Sequence, residues 1–267
     1  MPPELERCPA CGYNNGLPNL RHCAREQAAL EARYQAALAA CKARAVEAIA
    51  LDFTKTVEQQ ACAVINADAK FLEAFVDNDR NLYSGYSLQL KGQQRLAAPE
   101  NHHAERIAVE AQVFGAYGEH IRYAALSLNQ LGLHSYGSCT IVINELLCSH
   151  LASLTEENTF QLVEHHGKTI APGYRASWAE RQKLALAKLA DRIDSGITPD
   201  QYPGLLMFCE GKRETDQFIE VHLFGPFTAQ AIVAAHLPAS GKSRIENCYL
   251  EELQDKFSAR GIPCQRH

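Results

Sequence analysis

The sequence predicts an α+β fold, with helices gathered around a strand-rich body. Helical periodicity rules the first part: in AREQAALEARYQAALAACKARAVEAIAL, Leu30, Tyr34, Leu38, Cys41, Ala45 and Ile49 recur at helical spacing. Alternating apolar stretches rule the later part, in HIRYAALSL, SYGSCTIVI and TDQFIEVHLFG. The two kinds of segment do not follow one another as a regular βαβ series, which argues against an all-parallel sheet.

Taken in order, residues 1–23 are rich in Cys, Pro, Gly and Asn and read as a small knuckle. The Ala-rich helix follows. IALDF reads as a short strand, and residues 57–76 as a second helix, so 24–79 forms a mainly helical region. From residue 80 to 267 the α+β body begins, with NLYSGYSLQL extended, QRLAAPENHH a loop and ERIAVEAQVFGAY opening as a helix. HIRYAALSL and SYGSCTIVI are strands, and 154–176 holds mixed loop signals. Ser177 with Glu180 forms a capping box before a helix that stops at Gly196. YPGLLMFCE and TDQFIEVHLFG read as two strands, and Thr228 starts a short helix that ends at Pro238. Ser243 with Glu246 caps a last helix running to about Gly261.

A chain of 267 residues buries a full core. The formal net charge of −5 gives no basic footprint, so a dedicated nucleic-acid binder is disfavoured. No segment approaches the apolar run needed to cross a membrane, and MPPELERCPACG lacks the layout of a secretion signal. The expectation is a cytoplasmic protein, or one delivered by a route that reads no such signal. Ten cysteines in a reducing compartment need roles other than a disulfide framework.

CPACGYNNGLPNLRHC supplies one such role. Cys8 and Cys11 have the C-x-x-C spacing that puts two thiolates on one tetrahedral zinc, and His22 and Cys23 are the nearest further donors. Cys41, on the following helix, could replace His22. A four-ligand site would be structural, since a catalytic zinc keeps one position open.

TDQFIEVHLFG raises the functional question. Ile219, Val221 and Leu223 share one face, and Phe218, Glu220, His222 and Phe224 the other. A carboxylate among apolar neighbours is costly to desolvate unless it is paired, so Glu220 is a candidate catalytic residue. The plainer alternative is a half-exposed strand whose polar face meets water. Dinucleotide, zinc-protease and nucleophile-elbow motifs are absent. SGKS at 240–243 lacks the earlier glycine of a phosphate loop, with His236 in its place, and reads as a helix cap. The pairs His102/His103 and His165/His166 read as solvated surface.

Three stretches, ERIAVEAQVFGAY, YAALSLNQLGLHSYGSCTIVI and FIEVHLFGPFTAQAIVAAHL, resemble in that order a bacterial domain family of unknown function. The matching positions are Arg106, Glu110, Phe114, Gly115, Tyr117, Tyr123, Tyr136, Gly137, Ser138 and Glu220, within about residues 40–240. More distantly, the layout is similar to the ADP-ribosyltransferase superfamily. The resemblance implies a split β-sheet with surrounding helices that holds NAD as substrate. It makes Glu220 the catalytic carboxylate, with Arg106, Ser84, Gly85, Tyr86, Tyr136, Ser138 and Ser153 as candidate NAD contacts. In that superfamily a middle-strand Ser or Thr supports the cofactor, a role open here to Ser153 or Ser138. An early-strand Arg or His also contacts it. This sequence reads TKT after IALDF, leaving Lys55 or Arg80 as candidates. A toxin or effector modifying a macromolecule follows from the resemblance, with an antitoxin or immunity partner. Two other readings stand beside it: a non-catalytic interaction protein with a degenerate fold, and a metal hydrolase using the scattered histidines.

Overall fold

The computed structural model describes residues 17–84, 102–167 and 169–267. Its helices are α1 (Pro18–Ala43), α2 (Glu47–Gln60), α3 (Ala69–Val76), α4 (His102–Phe114), α5 (Glu145–Leu151), α6 (Thr159–His166), α7 (Arg181–Leu189), α8 (Tyr202–Leu206) and α9 (Arg244–Ala259). Its strands are β1 (Cys62–Ala67), β2 (Ile121–Ser127), β3 (Cys139–Ile143), β4 (Ala152–Thr155), β5 (Arg175–Ser177), β6 (Glu220–Phe224), β7 (Ile232–Leu237) and β8 (Cys264–Arg266). Among the described residues all eight strands join one sheet in the order β5-β4-β6-β2-β1-β3-β7-β8. Neighbours are antiparallel except the β7–β8 pair. The α+β class read from the sequence holds. Among the described residues no helix is long and apolar enough to cross a membrane.

Side-chain alternation gives this sheet two unlike faces. Ala63, Ile65, Leu126, Ile141, Leu154, Val221 and Leu223 lie on one face and are buried in the main core. Helices cover it: Leu30 and Cys41 of α1, Phe53 and Val57 of α2, Leu184 and Leu189 of α7, and Leu250, Leu253 and Phe257 of α9 belong to the same core. The opposite face carries Asn66, Tyr123, Thr140, Ser153, Thr155, Glu220, His222 and His236. These polar groups share that face with Val64, Ala125 and Val142, which are buried in a second apolar cluster with Leu133 and Phe218.

Several elements differ from the sequence reading. IALDF lies inside α2, where Ala50, Phe53, Thr54 and Val57 form a buried stripe at helical spacing. Residues 57–76 are not one helix, because β1 separates α2 from α3. YPGLLMFCE opens as α8, with Pro203 in its first turn, where a missing N–H costs no hydrogen bond. Thr228 precedes a single 3-10 turn, after which β7 pairs with β3. The 154–176 stretch contains α6 and the start of β5. Ser177 sits at the start of its helical segment without a side-chain cap, whereas Ser243 caps α9 by accepting from the Glu246 amide at 3.1 Å. The expected boundary after residue 23 falls inside α1, and the one after residue 79 separates β1 from the strands it pairs with.

One close approach is set by a glycine. A Cβ at Gly137 would lie 2.4 to 2.6 Å from backbone atoms of Ala67 at the end of β1. Gly137→Ala is therefore expected to lower unfolding stability in urea by at least about 2 kcal/mol, the scale of an overpacked site whose neighbour is backbone.

Candidate functional site

The site begins where two central strands part. β1 and β2 pair from Cys62–Ser127 through Ala63–Leu126 to Val64–Ala125. Beyond that point β1 continues to Ala67 paired with β3 alone, through Asn66–Thr140 and Ala67–Cys139. The facing half of β2 pairs only with β6, from Ala124–Val221 back to Ile121–Phe224. A cleft of about 180 Å³ lies at this split, lined by Val64, Ile65 and Asn66 on one lip and residues 121–125 on the other.

Each lip is held by its outer neighbours. Asn66 donates from Nδ2 to Gly137 O at 3.1 Å and Thr140 Oγ1 at 3.0 Å. Its Oδ1 accepts from the Leu133 amide at 2.8 Å. On the other lip Arg122 is 1% exposed and donates to the carbonyls of Tyr83 at 3.3 Å and of Glu119 and Ile121 at 3.1 Å. Burial lowers the Arg122 guanidinium to about 10.

Glu220 lines the cleft at the start of β6, across from Ala125 on β2 and Thr155 on β4. Its Oε2 accepts three hydrogen bonds: from the Thr159 amide at 2.8 Å, the Thr159 hydroxyl at 2.5 Å and His222 Nε2 at 3.0 Å. A carboxylate in its ionised form only accepts, and the partner that donates to it from this ring is then Nε2. His222 is held edge-on to Phe114 and Tyr123, with ring centroids 4.8 and 5.6 Å away. Glu220 Oε1 has no hydrogen-bond partner among the described residues. The carboxylate is thus paired as its buried strand position demands, with one oxygen left over.

The walls bring cations and aromatic rings. Arg106 of α4 donates from Nε to Glu110 Oε1 at 2.8 Å, and its guanidinium lies 5.1 Å from the Tyr123 ring centroid. Opposite, Arg213 lies 4.9 Å from the Tyr136 ring centroid and donates to Ser135 O at 3.0 Å. The fully buried Asp216 fastens this wall, accepting from the Ser135 hydroxyl and from the Glu210 amide. Burial first, then the Glu220 carboxylate, push the Tyr136 phenol upward. Burial, Glu110 and Glu220 hold the Tyr123 phenol well above its ordinary value. Both tyrosines stay neutral near pH 7 and offer a ring face or a hydroxyl.

Of the residues read from the sequence, Glu220, Arg106, Ser84 and Tyr136 meet at this cleft. Gly85 and Tyr86 lie outside the described residues. Ser138 instead donates to Glu246 Oε1 at 3.4 Å near the start of α9. Ser153 is buried on β4 and accepts from Asn19 Nδ2 at 3.2 Å, so neither serine lines the cleft. Lys55 projects from α2 into solvent, and Arg80 is exposed in the turn after α3. β1 brings Asn66 to the cleft, and neither Lys55 nor Arg80 lines it. Thr159, Tyr123 and Arg213 had no assigned role in the sequence reading. Thr159 is 61 residues from Glu220, and no local pattern signals such a pair.

The expected zinc ligands Cys8 and Cys11 lie outside the described residues. His22 and Cys23 are successive residues of α1, whose side chains diverge by about 100°. His22 Nδ1 meets the Tyr117 hydroxyl at 2.8 Å, and buried Cys23 donates to Ala176 O at 3.1 Å. That pair does not fit one tetrahedral ion. Cys41 lies 18 residues further along the same helix, roughly 27 Å at 1.5 Å per residue, and so cannot share an ion with Cys23. Among the described residues no three His, Cys, Asp or Glu side chains gather as a metal would need. His165 pairs with Glu157 Oε2 at 2.7 Å, and His166 lies edge-on to Tyr174 with ring centroids 4.2 Å apart.

No protein-family model matches the chain, and no curated protein matches it.

The turn that carries Thr159 contains a second buried carboxyl. Burial raises Glu156 from an ordinary value of 4.5 to about 7, against the Arg33 guanidinium beside it at 2.6 Å. A carboxyl whose value is higher folded than unfolded binds a proton on folding. Its contribution therefore falls as pH climbs from 4.5 to about 7. Unfolding stability of the wild type is expected to decline over that window. In Glu156→Gln the decline should flatten, by up to about 3 kcal/mol, as read by urea unfolding at pH 5 and pH 8.

Proposed function

We propose that the chain is an NAD-consuming enzyme of the ADP-ribosyltransferase kind, acting at the split between β1 and β2. The observation that carries this reading is Glu220: a buried carboxylate that lines the cleft beside Arg106, Arg213, Tyr123 and Tyr136, held through one oxygen while the other makes no hydrogen bond among the described residues. A cleft of about 180 Å³ suits the nicotinamide-ribose end of NAD, with the rest of the dinucleotide lying outward across the rim.

The chemistry needs what these residues offer. The glycosidic C–N bond breaks with its electron pair leaving on nicotinamide, and positive charge grows on the ribose carbon. Glu220 Oε1 stabilises that charge and accepts a ribose hydroxyl proton in a hydrogen bond. Tyr136 or Tyr123 stacks on the nicotinamide ring, and Arg106 and Arg213 hold the anionic part of the dinucleotide. The acceptor, a nucleophile on a macromolecule or a water, then bonds the ribose carbon and loses its proton. A toxin or effector role, with an antitoxin partner, belongs to this reading. Zinc enters it only as a structural ion on Cys8 and Cys11, with donors other than the His22–Cys23 pair.

One observation favours a second reading, a non-catalytic interaction protein. β1 brings no cation to the cleft, and Asn66 spends its donors and acceptor on the 133–140 segment.

The two readings differ in one assay. Wild-type protein incubated with NAD is expected to release nicotinamide, and Glu220→Gln to lose at least about a hundredfold of that rate while keeping its fold. A folded wild type that releases none, with candidate protein and nucleic-acid acceptors present, would favour the interaction protein.

A further inference from the structure

We propose that Thr159 is the positioning residue for Glu220, fixing which of its two oxygens works. This rests on reading Glu220 as the working carboxylate. The middle-strand serine expected to support the site is not at the cleft, and β2 presents Ala125 opposite Glu220. Thr159 arrives instead from the first position of α6. It gives both its amide and its hydroxyl to the same oxygen, Oε2.

Other contacts fix where Thr159 stands. Asn158 caps α6 by accepting from the Gln161 amide at 3.0 Å, which leaves the Thr159 amide for Glu220. Thr155, across from Glu220 on β4, donates to Glu157 O at 2.8 Å and tightens the turn between β4 and α6. Lys188 of α7 ties that turn to β6, donating to Glu156 O and, at 2.8 Å, to Phe218 O two residues before Glu220. Thr159 and Glu220 are therefore held in register by four bonds that neither residue makes.

The consequence is a broken symmetry. A carboxylate left to itself has two equivalent oxygens and a broad terminal torsion. Three donors on Oε2 lock that torsion and set Oε1 toward the cleft before any ligand arrives. Such preorganisation acts on the rate of the chemical step more than on binding.

The test is steady-state nicotinamide release from NAD by wild type, Thr159→Val and Thr159→Ser, with folding checked by circular dichroism. Valine keeps the shape and the amide and removes only the hydroxyl. Expected is a fall in kcat of about tenfold to a hundredfold for Thr159→Val, with KM for NAD within about twofold. Thr159→Ser should recover most of kcat. An active wild type with an equally active Thr159→Val would overturn the positioning role and leave Glu220 in place. A change in KM alone, or no recovery with serine, would make Thr159 a packing residue and overturn it also. A wild type that releases no nicotinamide would overturn the enzyme reading itself, and the positioning role with it.

Discussion

The site depends on two antiparallel strands ceasing to pair. Past Val64 and Ala125, β1 stays with β3 and β2 stays with β6. Here Asn66 draws the end of β1 toward the 133–137 turn, and Arg122 ties the start of β2 to the carbonyls of Tyr83 and Glu119. Gly137 permits the approach on the β1 side, because a side chain there would collide with the Ala67 backbone. A cleft opens in the middle of a sheet whose other face is a continuous apolar core.

That arrangement reconciles a buried carboxylate with a stable fold. The main core face supplies most of the burial that stabilises the chain, and the other face holds costly groups beside smaller apolar clusters. Glu220 and His222 are carried there by the same alternation that places Val221 and Leu223 in the core. The cost of burying Glu220 is met locally by three donors on one oxygen. The walls come from outside the sheet, from α4 with Arg106 and from the 207–217 segment latched by Asp216.

The sequence carried the α+β class, the strands β2, β3 and β6, and the capped helix α9, because each has a long enough period to show. Glu220 was legible for the same reason: a polar residue breaks an alternating strand only on one face. IALDF was misread because five residues are too few to separate a strand from the buried stripe of a helix. CAVINA, which is β1, was absorbed into a helix because its flanks are helical. No residue pattern marks where β1 and β2 part, since the register between strands about 60 residues apart leaves no local mark. Thr159 and Arg213 were invisible on the same ground. Ser138, just before β3, meets Glu246 of α9, and Ser153 meets Asn19, so neither lines the cleft.

On the proposed reading, NAD binds at the split between β1 and β2. An NAD titration followed by backbone amide resonances tests it most directly. The account predicts saturable shifts at Asn66, Tyr123, Ala125 and Glu220 on the two lips and floor, with β8 and the core of α1 unmoved. Saturable shifts confined to other elements, or none at millimolar NAD, would contradict it.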